Sequence, residues 1–378
     1  MWRDSLTRRS FVRMAGLASV ASQSKWLQAA VGSDQWTDLA SSKRPRFAFV
    51  GATEPNEGVH LFAIEKDKWK LCQIVLSAAP VSLALHHSGR TLYVLNEISE
   101  FQGLPTGSVE AYRIDQSTGQ LDLLGRQALS LSATMPRHLA VAPDGKSLAI
   151  AVHGGGAYNL LPVYADGNLG QVRGILKETG SGPVSAHQET AHPQSILFDL
   201  TGTRVIATDL GSDRLNVLSA EDGLGALARH TMPAGSGPRN LALHPNGNLL
   251  FVDHALDASL SVLGYDSATG TITKRGPRLQ GQFGSALAID PSGDFLYAAG
   301  PNEVSAWRVA PSIGALTQLQ SHPIEKEVTA IVPYPNGSAI FAVTSKGVLK
   351  IKFDVWSEKP ESPALMAAVN GARCLAIL

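Results

Sequence analysis

Leu241-Ala242-Leu243-His244-Pro245-Asn246-Gly247-Asn248-Leu249-Leu250-Phe251-Val252 decides the fold: an apolar strand, a tight turn ending in glycine, and a second apolar strand. Short apolar runs bounded by Pro, Asn and Gly read as buried strands joined by a hairpin. The unit recurs along the chain. Seven strands share one anchor position, at Leu83, Leu139, Ile196, Leu241, Leu287, Ile331 and Leu375, with successive spacings of 56, 57, 45, 46, 44 and 44 residues. Six residues after each of the first six anchors stands a glycine: Gly89, Gly145, Gly202, Gly247, Gly293 and Gly337. The turns read Pro143-Asp144-Gly145, Pro245-Asn246-Gly247, Pro291-Ser292-Gly293 and Pro335-Asn336-Gly337, and glycine there supplies the positive φ that tight hairpins need. Each period continues with a third strand, such as 109–112, 215–218 or 348–351, and a fourth after a turn such as 115–119 or 266–270.

Four short strands per period predict the blade of a β-propeller. The seventh anchor decides the closure. Leu375 lies too near the end of the chain for its own glycine, while Phe47-Ala48-Phe49-Val50 looks like a second strand lacking its first. The expectation is an all-β, seven-bladed propeller over residues 31–378, with 373–378 as the innermost strand of a blade whose other strands come from the N-terminal side. Such a seam leaves no unpaired sheet edge. A two-sheet sandwich, the alternative all-β architecture, requires neither an equal ruler nor a split repeat. The two longest spacings place their surplus in 97–107 and 180–192, where functional loops are to be sought.

The 378 residues carry 32 Lys+Arg against 32 Asp+Glu, a formal charge of zero. A neutral chain has no electrostatic reason to seek nucleic acid or anionic lipid, and no stretch approaches the roughly 20 apolar residues of a membrane span. Thr7-Arg8-Arg9-Ser10-Phe11-Val12-Arg13, a weakly apolar run and alanine-rich sites near Ala21 and Ala30 predict a cleaved twin-arginine export signal over residues 1–30, and hence a periplasmic, monomeric protein. Cys72 falls on the outermost strand of the shared blade and Cys374 on its innermost. Three strand spacings of about 4.8 Å keep them near 14 Å apart, beyond bridging distance, so two free and buried thiols are expected.

Geometry selects the candidate site. The start of each innermost strand and the end of the second share one face beside the central channel. Two residues before each anchor stand Val81, Arg137, Gln194, Arg239, Ser285, Thr329 and Arg373; fourteen after the first six stand Glu97, His153, Leu210, Ala255, Pro301 and Ser345. Asn96, His138, His192, Asp209, Asp253 and His254 lie at the same level. Convergent polar groups at a channel mouth make a ligand site, and arginine suits carboxylate or phosphate because its planar fork reaches both oxygens. The plain alternative is structural: such arginines tie adjacent blades through backbone carbonyls, and His153 and His254 are ordinary surface residues. No ligand spacing recommends a metal at His138, His153, His192 and Asp209. Gly154-Gly155-Gly156 opens no helix, which argues against a nucleotide loop, and a Gly-x-Ser-x-Gly elbow is missing. The expectation is a site without metal or cofactor.

Several segments resemble the propeller-type lactonases, the family of bacterial 6-phosphogluconolactonase and fungal carboxy-muconate lactonizing enzyme. They are Leu92-Tyr93-Val94-Leu95-Asn96-Glu97, Gly103-Leu104-Pro105-Thr106-Gly107-Ser108-Val109, Pro136-Arg137-His138-Leu139, Gly180-Ser181-Gly182-Pro183, Thr208-Asp209-Leu210-Gly211-Ser212-Asp213-Arg214 and Gly235-Ser236-Gly237-Pro238-Arg239-Asn240-Leu241. The resemblance covers nearly the whole mature chain and implies opening or closing of a lactone ring. It matches the family's active-site pattern at Arg239, Arg373 and Asn96-Glu97. It departs at Gln194, where the family has histidine, at Ala255 and Ala286, where it has glutamates, and at Pro301, where it has arginine.

Lactone hydrolysis needs a base to activate water and a positive group for the oxyanion. The expected catalytic set is therefore Arg239 with a base among Glu97, His192, His254 and Asp209, and the expected substrate-binding set is Arg137, His138, His153, Asp209 and Arg373. The ligand is a small anionic molecule or lactone. Two functions follow: a hydrolase of sugar or carboxylated lactones with a rearranged site, or a non-catalytic periplasmic propeller that binds an acidic ligand or a protein at the same channel mouth.

Overall fold

The computed structural model describes residues 45–65, 68–334, 339–353 and 361–378. The expected export signal and the Pro335-Asn336-Gly337 turn lie outside them. Every regular element in the described residues is a β-strand, and the strands form seven antiparallel sheets of four, one of which carries a short extra strand. All seven anchors sit on innermost strands.

The seam is as expected. Ala372–Ile377 is the innermost strand of blade one, followed outward by Phe47–Ala52, Gly58–Glu65 and Lys68–Leu76. Leu375 pairs with Val50 across the joint. Each innermost strand touches that of the next blade, and Val328–Pro333 of blade seven touches Ala372–Ile377, so the ring closes. Between each pair of neighbouring blades lies one apolar layer: Phe49 with Leu92, Tyr93 with Ile150, Tyr158 with Val205, Ile206 with Leu250, Phe251 with Leu296, Tyr297 with Ile340, and Phe341 with Val50. A propeller has no single core; it has seven, and burying both faces of every blade explains why inner strands are apolar without alternation.

The glycine turns lie on the opposite face from the candidate site, and two of them do more than turn. Gly145 (φ +72°) and Gly293 (φ +81°) receive histidines of the preceding blade: His86 Nε2 lies 3.2 Å from the Gly145 carbonyl and His244 Nε2 lies 3.0 Å from that of Gly293. A Cβ at either glycine would stand 2.4–2.5 Å from the imidazole. These histidines are inter-blade ties.

The two cysteines are free and lie on the strands expected. Cys374 is buried, which pushes its thiol up to about 12. Cys72, expected to be buried, is exposed. The ladder of Lys68–Leu76 slips there, pairing Leu61 with Gln73 and Phe62 with Leu71, so Cys72 is the extra residue of a bulge on the outermost strand of the blade.

Candidate functional site

The innermost strands do not begin as regular ladders. In blade two the pairing skips from Pro80 to Ser82, in blade three from Pro136 to His138, in blade four from Pro193 to Ile196, in blade five from Pro238 to Leu241, and in blade seven from Val328 to Ala330. In blade one it skips from Ala372 to Cys374. The skipped stretch each time includes the position two residues before the anchor, Val81, Arg137, Gln194, Arg239, Thr329 and Arg373, and in blades four and five Ser195 and Asn240 are skipped with it. A bulge leaves its extra residue unpaired and re-aims the side chain. Proline precedes it in four of these blades, where a missing N–H costs nothing at a strand start.

These six residues and Ser285 of blade six all line one cavity of about 700 Å³ at the channel mouth. Arg137 Nη1 pairs with Glu97 Oε1. Burial pulls the Arg137 guanidinium below its ordinary value, Glu97 opposes this, and Arg373 and Arg239 push it further down. Arg137 therefore senses both other cations. Arg239 Nη1 donates to the Gly284 carbonyl at 3.0 Å and stands 3.6 Å from Glu327 Oε1. Arg373 has no hydrogen-bond or ion-pair partner for its guanidinium among the described residues. Blades six and seven offer the small neutral Ser285, Ala286, Thr329 and Ala330.

On the other side, His153 stacks on His192 with ring centroids 4.3 Å apart. His192 Nδ1 lies 3.2 Å from the His153 carbonyl, and its Nε2 lies 3.2 Å from Glu189 Oε1. Hydrogen bonds, first from its own backbone N–H and then from His192, hold the exposed Glu189 carboxyl below the usual carboxylate range. Gln194 Nε2 donates to His153 Nδ1 at 2.7 Å. Burial first, then Arg137 and His192, lower His153 to about 4, so it is neutral at pH 7.

Both long segments deliver functional groups. Residues 97–107 bring Glu97 to Arg137. The 180–192 segment is pinned by fully buried Gln188, whose Oε1 accepts the Val184 N–H and whose Nε2 donates to the Leu210 carbonyl. It sets His187, Glu189 and His192 at the cavity. The glycine run fits here by contact: a Cβ on Gly155 would stand 2.1 Å from the Ser132 carbonyl oxygen, and one on Gly154 2.7 Å from Thr134 Oγ1. It is a packing surface for the segment before blade three.

Of the nine expected site residues, Arg137, His138, His153, His192, Arg239 and Arg373 line the cavity, and Glu97 reaches it through Arg137. His138 is spent as an inter-blade tie, its Nδ1 3.0 Å from the Ile196 carbonyl. Two expectations are corrected. Asp209 is fully buried, its oxygens taken by the N–H groups of His192 and Gly211 and by the Ser212 hydroxyl, so it orients His192 and cannot meet a ligand. His254 is fully buried between blades four and five, with Nε2 2.8 Å from Ser261 Oγ and its basicity lowered to about 4 by burial, so it is no base for this cavity. Sequence reasoning missed Glu189, Glu327 and the part played by Gln194. The only signal for Glu189 was its place in the surplus segment.

The sequence matches the model of the family described as "Lactonase, 7-bladed beta-propeller" over residues 47–350. It is 28% identical to a 6-phosphogluconolactonase of Formosa agariphila over 352 residues, 86% of this chain and 98% of that protein. It is 27% identical to the Bacillus subtilis 6-phosphogluconolactonase over 274 residues, 69% and 76% of the two chains. The fold superposes on a periplasmic gluconolactonase of Pseudomonas aeruginosa with a TM-score of 0.77 at 22% identity, covering 88% of this chain and 98% of that one.

Proposed function

The chain belongs to the lactonase family of seven-bladed β-propellers, and from that membership we propose that it hydrolyses an anionic sugar lactone in its arginine-lined cavity. The observation that carries this reading is the convergence of Arg137, Arg239 and Arg373, from three non-adjacent blades, on one concave site. Glu97 and Glu327 balance Arg137 and Arg239, whereas the Arg373 guanidinium has no carboxylate partner among the described residues, so the half-buried cluster favours a ligand that brings negative charge. In this reading Arg373 takes the permanent anion of the substrate, and Arg239 and Arg137, the latter held by Glu97, face the ring ester. The Glu189 carboxylate, bonded to His192 Nε2, accepts the proton of the attacking water. The water oxygen bonds to the carbonyl carbon, the carbonyl oxygen carries the developing charge, and collapse breaks the ring C–O bond. The released alkoxide takes a proton, and the product is an open hydroxy acid. Donors aimed at the developing oxyanion are the strongest rate term in such acyl transfers.

A second reading has one observation in its favour. The lining at Ala255 and Ala286 lacks the carboxylates expected from the family pattern, so the cavity could bind an acidic ligand or protein without turnover. Acid release from phosphorylated, carboxylated and uncharged sugar lactones, measured against the spontaneous rate, separates the two. Turnover with preference for charged lactones is expected; a folded protein that turns over none of them leaves only the binder.

Export through the twin-arginine route would place this activity in the periplasm, away from cytoplasmic sugar phosphates, and so favours a carboxylated lactone. Thr7-Arg8-Arg9-Ser10-Phe11 supports that route. Replacing Arg8 and Arg9 together by lysine should leave unprocessed protein in the cytoplasmic fraction of a host that has the translocase; unchanged export would end the twin-arginine assignment.

A further inference from the structure

His153 lines the cavity, yet one of its ring nitrogens is already committed. Gln194 Nε2 lies 2.7 Å from His153 Nδ1 and 3.3 Å from the His192 carbonyl oxygen. A carbonyl oxygen only accepts, so the amide must turn its nitrogen toward it; the reversed amide would set oxygen against oxygen. The NH₂ group then spends one hydrogen on the His192 carbonyl and the other on His153. That second bond needs a lone pair at Nδ1, and a neutral imidazole with its lone pair at Nδ1 carries its proton at Nε2.

The surroundings hold this arrangement in place. The His192 carbonyl also accepts the Leu210 N–H at 3.1 Å. The His153 carbonyl accepts the Gly156 N–H at 3.3 Å and faces His192 Nδ1 at 3.2 Å. The stacked rings are thus cross-linked in both directions, with Gln194 as the third member. His153 Nε2 has no partner among the described residues and is not a buried orphan. Arg137 is close enough to depress the basicity of His153, so a cationic donor stands near the neutral ring.

We propose that Gln194 is a positioning residue that locks His153 in its neutral Nε2–H form, making that N–H a hydrogen-bond donor to the lactone carbonyl oxygen. The inference rests on the lactonase reading for the identity of the acceptor, but the lock itself does not. A neutral imidazole is a fitting electrophile for a carbonyl that becomes an oxyanion, since its N–H strengthens its bond as charge develops and gives up no proton in the ground state. Glutamine does not titrate, so the lock holds at any pH above the titration of His153 itself. The same commitment means that His153 cannot act as a base: its only lone pair is used.

The test is spectroscopic first and kinetic second. In mature protein with ¹⁵N-labelled histidine, the long-range ¹H–¹⁵N spectrum at pH 7 should show the residue that vanishes in His153→Ala as the Nε2–H tautomer. Gln194→Glu should convert it to an Nδ1–H or doubly protonated ring and raise its midpoint by about two pH units or more. On the best lactone, Gln194→Leu should lower kcat by about 10–100-fold with KM within about threefold. Combined with His153→Ala, it should cost no more than the larger single loss, because without the ring there is nothing to lock. A wild-type spectrum showing Nδ1–H, or losses that multiply in the double variant, would overturn the proposal. If no lactone is turned over, the lactonase reading fails while the spectrum still decides the lock. Gln194→Met, which keeps the side-chain length and removes both donors, repeats the test should the leucine variant not fold.

Discussion

An Arg373→Ala substitution will lower kcat/KM for an anionic lactone by about 10²-fold while leaving an uncharged lactone within about threefold. The expectation comes from how the three arginines are balanced. Arg137 is paired with Glu97, and Arg239 has a carbonyl at 3.0 Å and Glu327 at 3.6 Å. Arg373 has neither among the described residues, so its guanidinium is the one whose charge the substrate must meet. A charge-assisted bond lost from a partly desolvated site costs about 2–4 kcal/mol, or roughly 30–1000-fold. Arg373→Lys should recover only part, because an ammonium cannot bond two oxygens in one plane. Arg239→Ala should cost a similar factor but on charged and uncharged lactones alike, through lost transition-state stabilisation. Steady-state kinetics on a matched charged and uncharged pair checks both variants. Equal losses on the pair for Arg373→Ala would mean that it does not bind the permanent anion.

The second large effect is on stability in mild acid. His153 and His254 are each lowered to about 4 in the folded protein, with burial the first cause, against an ordinary 6.5. Between pH 6.5 and about 4 the unfolded chain therefore binds protons that the native one refuses, and stability falls as pH falls through that window. Above 6.5 both states are neutral and nothing is lost; below about 4 the loss is complete. For fully buried His254 the loss is roughly 2–4 kcal/mol. His86, His138 and His322 are lowered as well and add in the same direction. Asp253 opposes them: burial raises it to about 6, so protonation of the native state stabilises as pH falls below that value. One carboxyl offsets about one histidine, and the net sign remains destabilising. The melting temperature should drop by about 5–10 °C between pH 7 and 4, and His254→Gln, which removes one titration, should shrink that drop by several degrees. A flat profile over this window, or an unchanged slope in the variant, would show that these rings stay reachable by protons in the fold.

The anchors, the ruler and the missing seventh glycine were enough to read seven blades and the shared one, because blade packing is local and periodic. Each period must bury the same two faces, and Leu83 through Leu375 record that demand at fixed spacing. The column two residues before each anchor was legible for the same reason, and all seven of its members line the cavity. What the linear chain could not reveal was where each polar atom is spent. His254 and Asp209 stand at the right level of the funnel yet turn into the blade interfaces, since the direction of a side chain at a strand end depends on the bulge and turn beside it. Glu189 follows no period; the pinned segment around Gln188 carries it to His192. The pairing of Arg137 with Glu97 and the Gln194–His153 bond exist only between blades. They depend on distances of a few ångströms between residues tens of positions apart, and those distances are set when the ring closes.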